Sequence, residues 1–205
     1  MGPATVETGT RSALEALAAQ WQTPLDEKRL SGLLAFGELL MTWNARINLT
    51  GARTVDELIA DHLPDAFAVA QAIGAGPRTV VDVGSGGGLP ALPLAILRPD
   101  LQLTLVEPLA KKVAFLRTAT RELGLTAVSV QCARAEALPS AAYEVAMSRA
   151  TFPPLEWLAV GRRLVRPGGR ILALTVPGTD LPGRRTNYLG NRRTLVEVRP
   201  EECST

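Results

Sequence analysis

The chain has 205 residues, 46% of them hydrophobic, with 22 Lys/Arg against 20 Asp/Glu and a formal net charge of +2. This supports one domain with a substantial core and excludes a disordered chain. No apolar run is long enough to span a bilayer, no basic-then-apolar leader opens the chain, and Gly2 lacks the context for myristoylation, so a cytoplasmic protein with no membrane partner is expected.

Cys132 and Cys203 are far apart and form no metal-binding spacing, which points to a reduced compartment and no metal. Charge is uneven along the chain. Residues 1–160 carry 13 Lys/Arg against 16 Asp/Glu, and residues 161–205 carry nine Arg against four acids. Arginine suits phosphate contacts, although a solvated surface explains the same excess.

Residues 10–73 read as helical. Leu33, Phe36, Leu40, Trp43 and Ile47 recur on one helical face, with Asp26 as N-cap. A further helical stretch runs from Val55 to Ile73, bent at Pro64. Gly74-Ala75-Gly76-Pro77 marks a boundary, dividing a helical extension (1–77) from an α/β core (78–205). Strands are expected at 79–84, 102–107, 127–132, 143–148 and 170–176, with helices at 89–97, 109–123 and 153–166. That alternation predicts a mostly parallel sheet with helices on both faces. Residues 177–192 read as loop, and 193–198 as a last strand in either direction.

The stretch 79–93 carries the chemistry. An apolar strand ends at Asp82, then Gly84, Gly86 and Gly88 precede a helix start. A turn without side chains lets a ligand lie against bare backbone near helix N–H groups. A dinucleotide fingerprint fails from Gly84, because Leu89 holds the third position, but survives from Gly86 through Gly88 and Ala91. The closer resemblance of Asp82-x-Gly84-x-Gly86-x-Gly88 is to the first motif of Rossmann-like class I methyltransferases, whose cofactor is S-adenosylmethionine. An acid at Asp82 suits a sulfonium. Glu107 ends the second strand, where a carboxylate accepts hydrogen bonds from ribose hydroxyls in either cofactor class. The turn Cys132-Ala133-Arg134-Ala135-Glu136 follows the third strand and would face adenine. Arg134 and Glu136 read equally well as a helix-start ion pair.

Several segments together resemble the bacterial methyltransferases that modify guanine N7 in small-subunit ribosomal RNA, the glucose-inhibited division protein B family. They are Trp43-Asn44 with Ile47-Asn48-Leu49-Thr50, Asp61-His62-Leu63-Pro64-Asp65, the loop Val81–Pro90, Glu107-Pro108-Leu109-Ala110-Lys111-Lys112-Val113, and Ser148-Arg149-Ala150. The resemblance implies a Rossmann-like fold, S-adenosyl-L-methionine as cofactor, and 16S ribosomal RNA or the 30S particle as partner. The cofactor would be held by Asp82, Gly84, Ser85, Gly86, Gly88, Leu89, Glu107, Ala135, Glu136 and Arg149. Departures from the family pattern are Pro64, Ala66, Ala91, a missing lysine around Val176-Pro177-Gly178, and a short stretch between the fifth strand and the end.

N7 of guanine has a free lone pair and needs no general base. Arg149, at the end of the fourth strand, is the expected substrate-positioning residue; a structural ion pair is the competing role. Lys111 and Lys112 open a helix, a position unfavourable to cations, so they read as RNA phosphate contacts or, equally, as a solvated face, and Arg184 and Arg185 of the arginine-rich tail read as non-specific phosphate contacts. His62 reads as a packing residue, or as one of a pair with Asp65. A monomer is expected. A methyltransferase with another substrate, a non-catalytic RNA-binding assembly module and, more distantly, a nicotinamide dehydrogenase remain open at this point.

Overall fold

A computed structural model describes residues 3–200 of the chain; Cys203 lies outside them. Four helices come first: α1 (Pro3–Gln20), α2 (Glu27–Asn44), α3 (Val55–Asp61) and α4 (Leu63–Ile73). Asp26 caps α2 by accepting from the Arg29 N–H at 2.8 Å, satisfying one of the orphan donors of a helix start. Leu33, Phe36 and Leu40 of α2 are buried on one face. The expected bend at Pro64 is a break. Proline has no N–H to continue the ladder and clashes with the preceding turn, so α3 stops at Asp61 and α4 starts at Leu63, leaving His62 at the joint.

The remaining elements are β1 (Thr79–Val83), α5 (Ala91–Leu97), β2 (Gln102–Val106), α6 (Ala110–Glu122), β3 (Val128–Gln131), a 3-10 turn (Ala135–Ala137), β4 (Tyr143–Arg149), α7 (Pro154–Leu164), β5 (Val165–Thr175), β6 (Arg184–Tyr188) and β7 (Arg193–Val198). The strands form one sheet in the order β3-β2-β1-β4-β5-β7-β6. Strands β1 to β5 run parallel, while β7 lies antiparallel to β5 and to β6. The architecture is a mixed α/β sheet with flanking helices.

Alternation along the strands feeds two cores. Val80, Leu172 and Leu174 pack with α1–α6 on one face, and Val81, Ile171 and Ala173 pack with Trp157 and Leu158 of α7 on the other. Helix α4 packs on α5 and β7, and α2 on α5 and α6, so the N-terminal helices share the core of the sheet.

Two segments differ from expectation. Strand β5 begins at Val165, cutting α7 short, because Val165 pairs with Tyr143 before the register jumps to Val145 opposite Arg170. The excursion between them, Arg166-Pro167-Gly168-Gly169, is a bulge. At Gly169 any Cβ would meet the Arg166 carbonyl at 2.8 Å and the Glu144 carbonyl at 3.0 Å, so the chain has no room there for a side chain. Residues 177–192, read as loop, contain β6. That strand is a polar edge strand, Arg-Arg-Thr-Asn-Tyr, without the apolar alternation that signals a strand. It exists because a turn at Leu189–Asn191, all at positive φ, folds it back onto β7.

Candidate functional site

In an open parallel sheet a crevice forms at the carboxyl ends of the strands where strand order reverses, here between β1 and β4. The β1–α5 loop lies there. Gly84 has φ +78° and its missing Cβ is where the Thr151 side chain sits, so any other residue would be strained and would collide. Its N–H and that of Ser85 both donate to the Val106 carbonyl, at 2.8 and 3.1 Å. Gly87 lies under the α2–α3 connection, where a Cβ would meet the Leu49 carbonyl at 2.8 Å. The N-terminal helices thus cover the glycine loop by backbone-to-backbone approach.

Asn44 makes that cover a fixed shape. Its amide donates to the Thr50 and Ala52 carbonyls at 3.1 and 3.2 Å, and its carbonyl accepts from the Leu49 and Thr50 N–H groups at 2.8 and 3.0 Å. One side chain therefore replaces the ladder that the segment 45–52 lacks.

Two carboxylates are buried at the strand ends. Glu107 accepts from the Gly86 N–H through Oε2 and from the Leu109 N–H through Oε1, both at 3.0 Å. Each oxygen keeps a lone pair for a further donor. Asp82 is 2% exposed, and its Oδ2 has no hydrogen-bond partner among the described residues. Burial pushes its pKa up to about 7, with Glu107 adding to the rise and the Ser85 hydroxyl and Arg149 opposing it. An orphaned buried carboxylate oxygen is costly unless a ligand supplies a donor or a positive charge. A ligand with a cationic group and a diol fits this pair.

The Ser148-Arg149-Ala150 end of β4 completes the crevice. Ser148 donates to the Val83 carbonyl at 2.9 Å, tying β4 to β1. Ala150 has φ +54°, a left-handed conformation costing about 1 kcal/mol or more outside glycine. The Arg149 guanidinium donates through Nη1 to Asp65 Oδ2 at 2.9 Å and to His62 Nδ1 at 3.1 Å. Because Nδ1 accepts, the proton of His62 resides on Nε2, which approaches the Thr50 hydroxyl at 3.4 Å. Desolvation and the Arg149 charge hold the His62 pKa below its usual value. Asp65 is 1% exposed and also accepts from the Tyr188 hydroxyl at 2.6 Å. Burial and Asp65 push the Tyr188 pKa above its usual value, keeping it a donor. A network therefore runs from Thr50 through His62, Arg149 and Asp65 to Tyr188, joining the N-terminal helices, β4 and the last hairpin.

Asp82, the glycines, Ser85, Leu89, Glu107 and Arg149 thus lie at one end of the sheet. Ala135 and Glu136 form the 3-10 turn after β3, with Ala135 buried and Glu136 exposed; the Ala135 carbonyl accepts from Arg163 at 2.6 Å. Lys111 and Lys112 open α6 at the same end. Arg184 and Arg185 are elsewhere. Arg184 pairs in register with Glu197 near the end of β7, beside the start of β5, at the opposite edge. Arg185 donates to the Thr179 and Leu181 carbonyls, at 3.1 and 2.5 Å, and pins the loop before β6. From the sequence His62 reads as a packing residue or as a partner of Asp65; both residues instead grip Arg149. Tyr188 carries no signal beyond its residue type, and Asn44 only its place in the Trp43-Asn44 segment of the resemblance, since their partners are set by tertiary contact or by an irregular loop. No group of acids, cysteines and histidine among the described residues could hold a metal ion, and no described helix is long and apolar enough to cross a membrane.

Residues 29–179 match the family described as GidB, rRNA small subunit methyltransferase G. A "Ribosomal RNA small subunit methyltransferase G" of Halorhodospira halophila is 42% identical over 164 residues, covering 80% of this chain and 78% of that protein. One from Xanthomonas euvesicatoria is 43% identical over 176 residues, covering 85% and 81%. Among solved structures, a SAM-dependent methyltransferase of Aquifex aeolicus superposes with a TM-score of 0.54 at 18% identity, over 69% of this chain and 91% of that one. This likeness establishes the fold.

Proposed function

The chain belongs to the GidB family of small-subunit rRNA methyltransferases, and from that premise we propose that it transfers a methyl group from S-adenosylmethionine to N7 of a guanine in 16S ribosomal RNA, in the cytoplasm, as a monomer acting on the RNA or on the 30S particle. Residues 78–205 form the Rossmann-like core in this reading, and residues 1–77 its cover. The observation that carries the proposal is the orphaned Asp82 carboxylate beside the anchored Glu107 and Arg149, a buried acidic crevice in want of a cation.

When bound, the cofactor supplies an electrophilic methyl on a positive sulfonium. Asp82 would neutralise its charge, Glu107 would take the ribose hydroxyls, and the bare backbone of the 84–89 loop would lie along it. Ala135 and Glu136 would meet the adenine. N7 attacks with its own lone pair, so the protein has no proton to remove. What remains for the protein is to hold two reactants in line and exclude water. Arg149 does the holding on the substrate side. One Nη is fixed by Asp65 and His62, and the rest of its fork is available to guanine or to an adjacent phosphate. Lys111 and Lys112, at the same strand ends, would take flanking phosphates. The large exposed apolar side chains Leu109, Leu155 and Val176 follow β2, β4 and β5, beside the same crevice. They offer packing for bases out of the stack, as a guanine needs if its N7 is not to be hidden in an A-form major groove.

Nucleoside mass spectrometry of small-subunit RNA from cells with and without the gene tests this. Loss of one N7-methylguanosine on deletion is expected, and unchanged content would refute the assignment.

A further inference from the structure

We propose that an arginine-lined groove at the end of the sheet opposite the glycine loop is a second RNA-binding site, which holds the phosphate backbone of the substrate far from the target guanine. The proposal rests on the rRNA-methyltransferase reading and extends it to a part of the molecule that catalysis does not use.

The groove runs across the amino ends of β1, β4 and β5 and the adjoining ends of β6 and β7. A depression of about 690 Å³ is lined by Arg78, Arg166, Arg170 and Arg199. A second, of about 150 Å³, shares Arg170 and Arg199 and adds Arg184. Among the described residues, five arginines therefore face two carboxylates, Glu144 and Glu197. Glu144 is already taken: it accepts from the Thr79 N–H at 2.8 Å and pairs with Arg166 at 2.7 Å and Arg78 at 3.5 Å. Those contacts hold its pKa below the usual carboxylate value, the Thr79 N–H contributing most. Glu197 pairs with Arg170 at 3.5 Å and with Arg199 at 3.9 Å. Among the described residues the balance is an excess of positive charge.

The arginines divide into floor and grip. Arg170 is mostly buried and donates to the Ala72 and Ile73 carbonyls, at 2.6 and 2.8 Å, closing the C-terminus of α4. Arg166 and Arg199 have side chains 56% and 58% exposed, and Arg184 is exposed as well. Arg166 stands out from the sheet because it sits in the 166–169 bulge. Arginine presents a planar fork that matches phosphate geometry. The core of a protein-binding surface is apolar and poor in charge; here the apolar share is confined to such residues as Ile73, Ala75 and Pro167. A polyanion is the better fit.

Strand length sets the separation. A strand rises about 3.3 Å per residue, so the groove lies about 20 Å from the carboxyl ends of the strands. Only an RNA larger than the target loop reaches both.

The test compares the wild type with Arg166→Ala/Arg199→Ala on two substrates, a short hairpin holding the target guanine and a long 16S fragment. Each replaced arginine leaves its carboxylate another cation, Arg78 for Glu144 and Arg170 for Glu197, so folding is retained, and circular dichroism checks it. The expected result is a KM for the long RNA raised about tenfold, with unchanged kcat and unchanged kinetics on the hairpin. The log–log salt dependence of long-RNA binding should flatten by about 1.4–1.8, two phosphate contacts at about 0.7–0.9 each. Equal KM and equal salt slope on the long RNA overturn the proposal. A defect confined to 30S particles and absent on naked RNA also overturns it, in favour of an acidic protein partner. Binding of the long RNA measured without cofactor reads the groove directly, so failure of methyl transfer by the wild type would sink the functional reading while leaving the groove separately tested.

Discussion

Replacing Asp82 by asparagine is expected to make the cofactor-free protein more resistant to unfolding at alkaline pH while weakening its hold on the cofactor. Burial raises the Asp82 pKa from 3.8 to about 7, and the gap between these values corresponds to about 4 kcal/mol. The sign follows from the direction of the shift. A carboxyl whose folded pKa is raised contributes fully below its unfolded value, and that contribution is lost as pH rises through the folded value. Between about pH 5 and about pH 8 the wild type therefore loses about 3 kcal/mol through this one group. Asp82→Asn has no such group and keeps that stability. Urea unfolding of both proteins at the two pH values, without cofactor, measures the difference. Every other titrating group is common to the two, so the comparison isolates Asp82 whatever the amide itself costs. Parallel pH dependence in wild type and variant would refute the reasoning. Calorimetry supplies the counterpart: cofactor affinity in the wild type should tighten with rising pH up to about 7, as a cationic ligand favours the ionised carboxyl, and the variant should lose that dependence.

Tyr188→Phe removes a donor from the buried Asp65 carboxylate, which should cost about 1–3 kcal/mol in chemical denaturation and lower kcat about tenfold by loosening Arg149; wild-type kcat in a correctly folded variant would argue against the network. His62 must stay neutral to accept from Arg149, and its pKa lies below 6.5, so activity and stability should hold above that value and fall as pH drops beneath it. A pH–rate profile whose acid limb lies above 6.5 and persists in His62→Asn would remove that role. Asn44→Ala breaks four hydrogen bonds in the 45–52 segment and should destabilise by about 2–3 kcal/mol, with faster amide exchange at Leu49 and Thr50; unchanged exchange there would show that Asn44 does not hold the cover.

The parts of this protein that sequence reading recovers are those whose signal is local. Strand β1 and its glycine loop declare themselves because an apolar run, an acid and three spaced glycines lie within a dozen residues, and a disturbance at Pro64 follows from the chemistry of one residue, although its extent, a break and not a bend, does not. The order of strands and helices from Thr79 to Leu164 is legible for the same reason. Strand β6 is not, since its hydrogen bonds come from β7 and its side chains before Tyr188 are polar and mostly exposed at an edge. The early start of β5 escapes notice because it depends on Tyr143, across a bulge. At the site, Asp82, Glu107 and Arg149 are visible from their positions at strand ends. What fixes Arg149 is invisible: Tyr188 reaches Asp65 across 123 positions of sequence, and no periodicity encodes such a meeting. Arg184 and Arg185 show the converse, a correct count of charge with no means of telling which end of the sheet it would occupy.

The β6–β7 hairpin has a consequence for the order in which the molecule is made. The glycine loop, Glu107 and Arg149 are all synthesised before Tyr188. Until the final hairpin is synthesised and folds back beside β5, the Asp65 carboxylate has Arg149 but lacks the Tyr188 hydroxyl, and the sheet ends on an open β5 edge. A nascent chain acquires the second support of Asp65, and through it of Arg149, only with this hairpin, so the step that closes the β5 edge is also the step that completes the network.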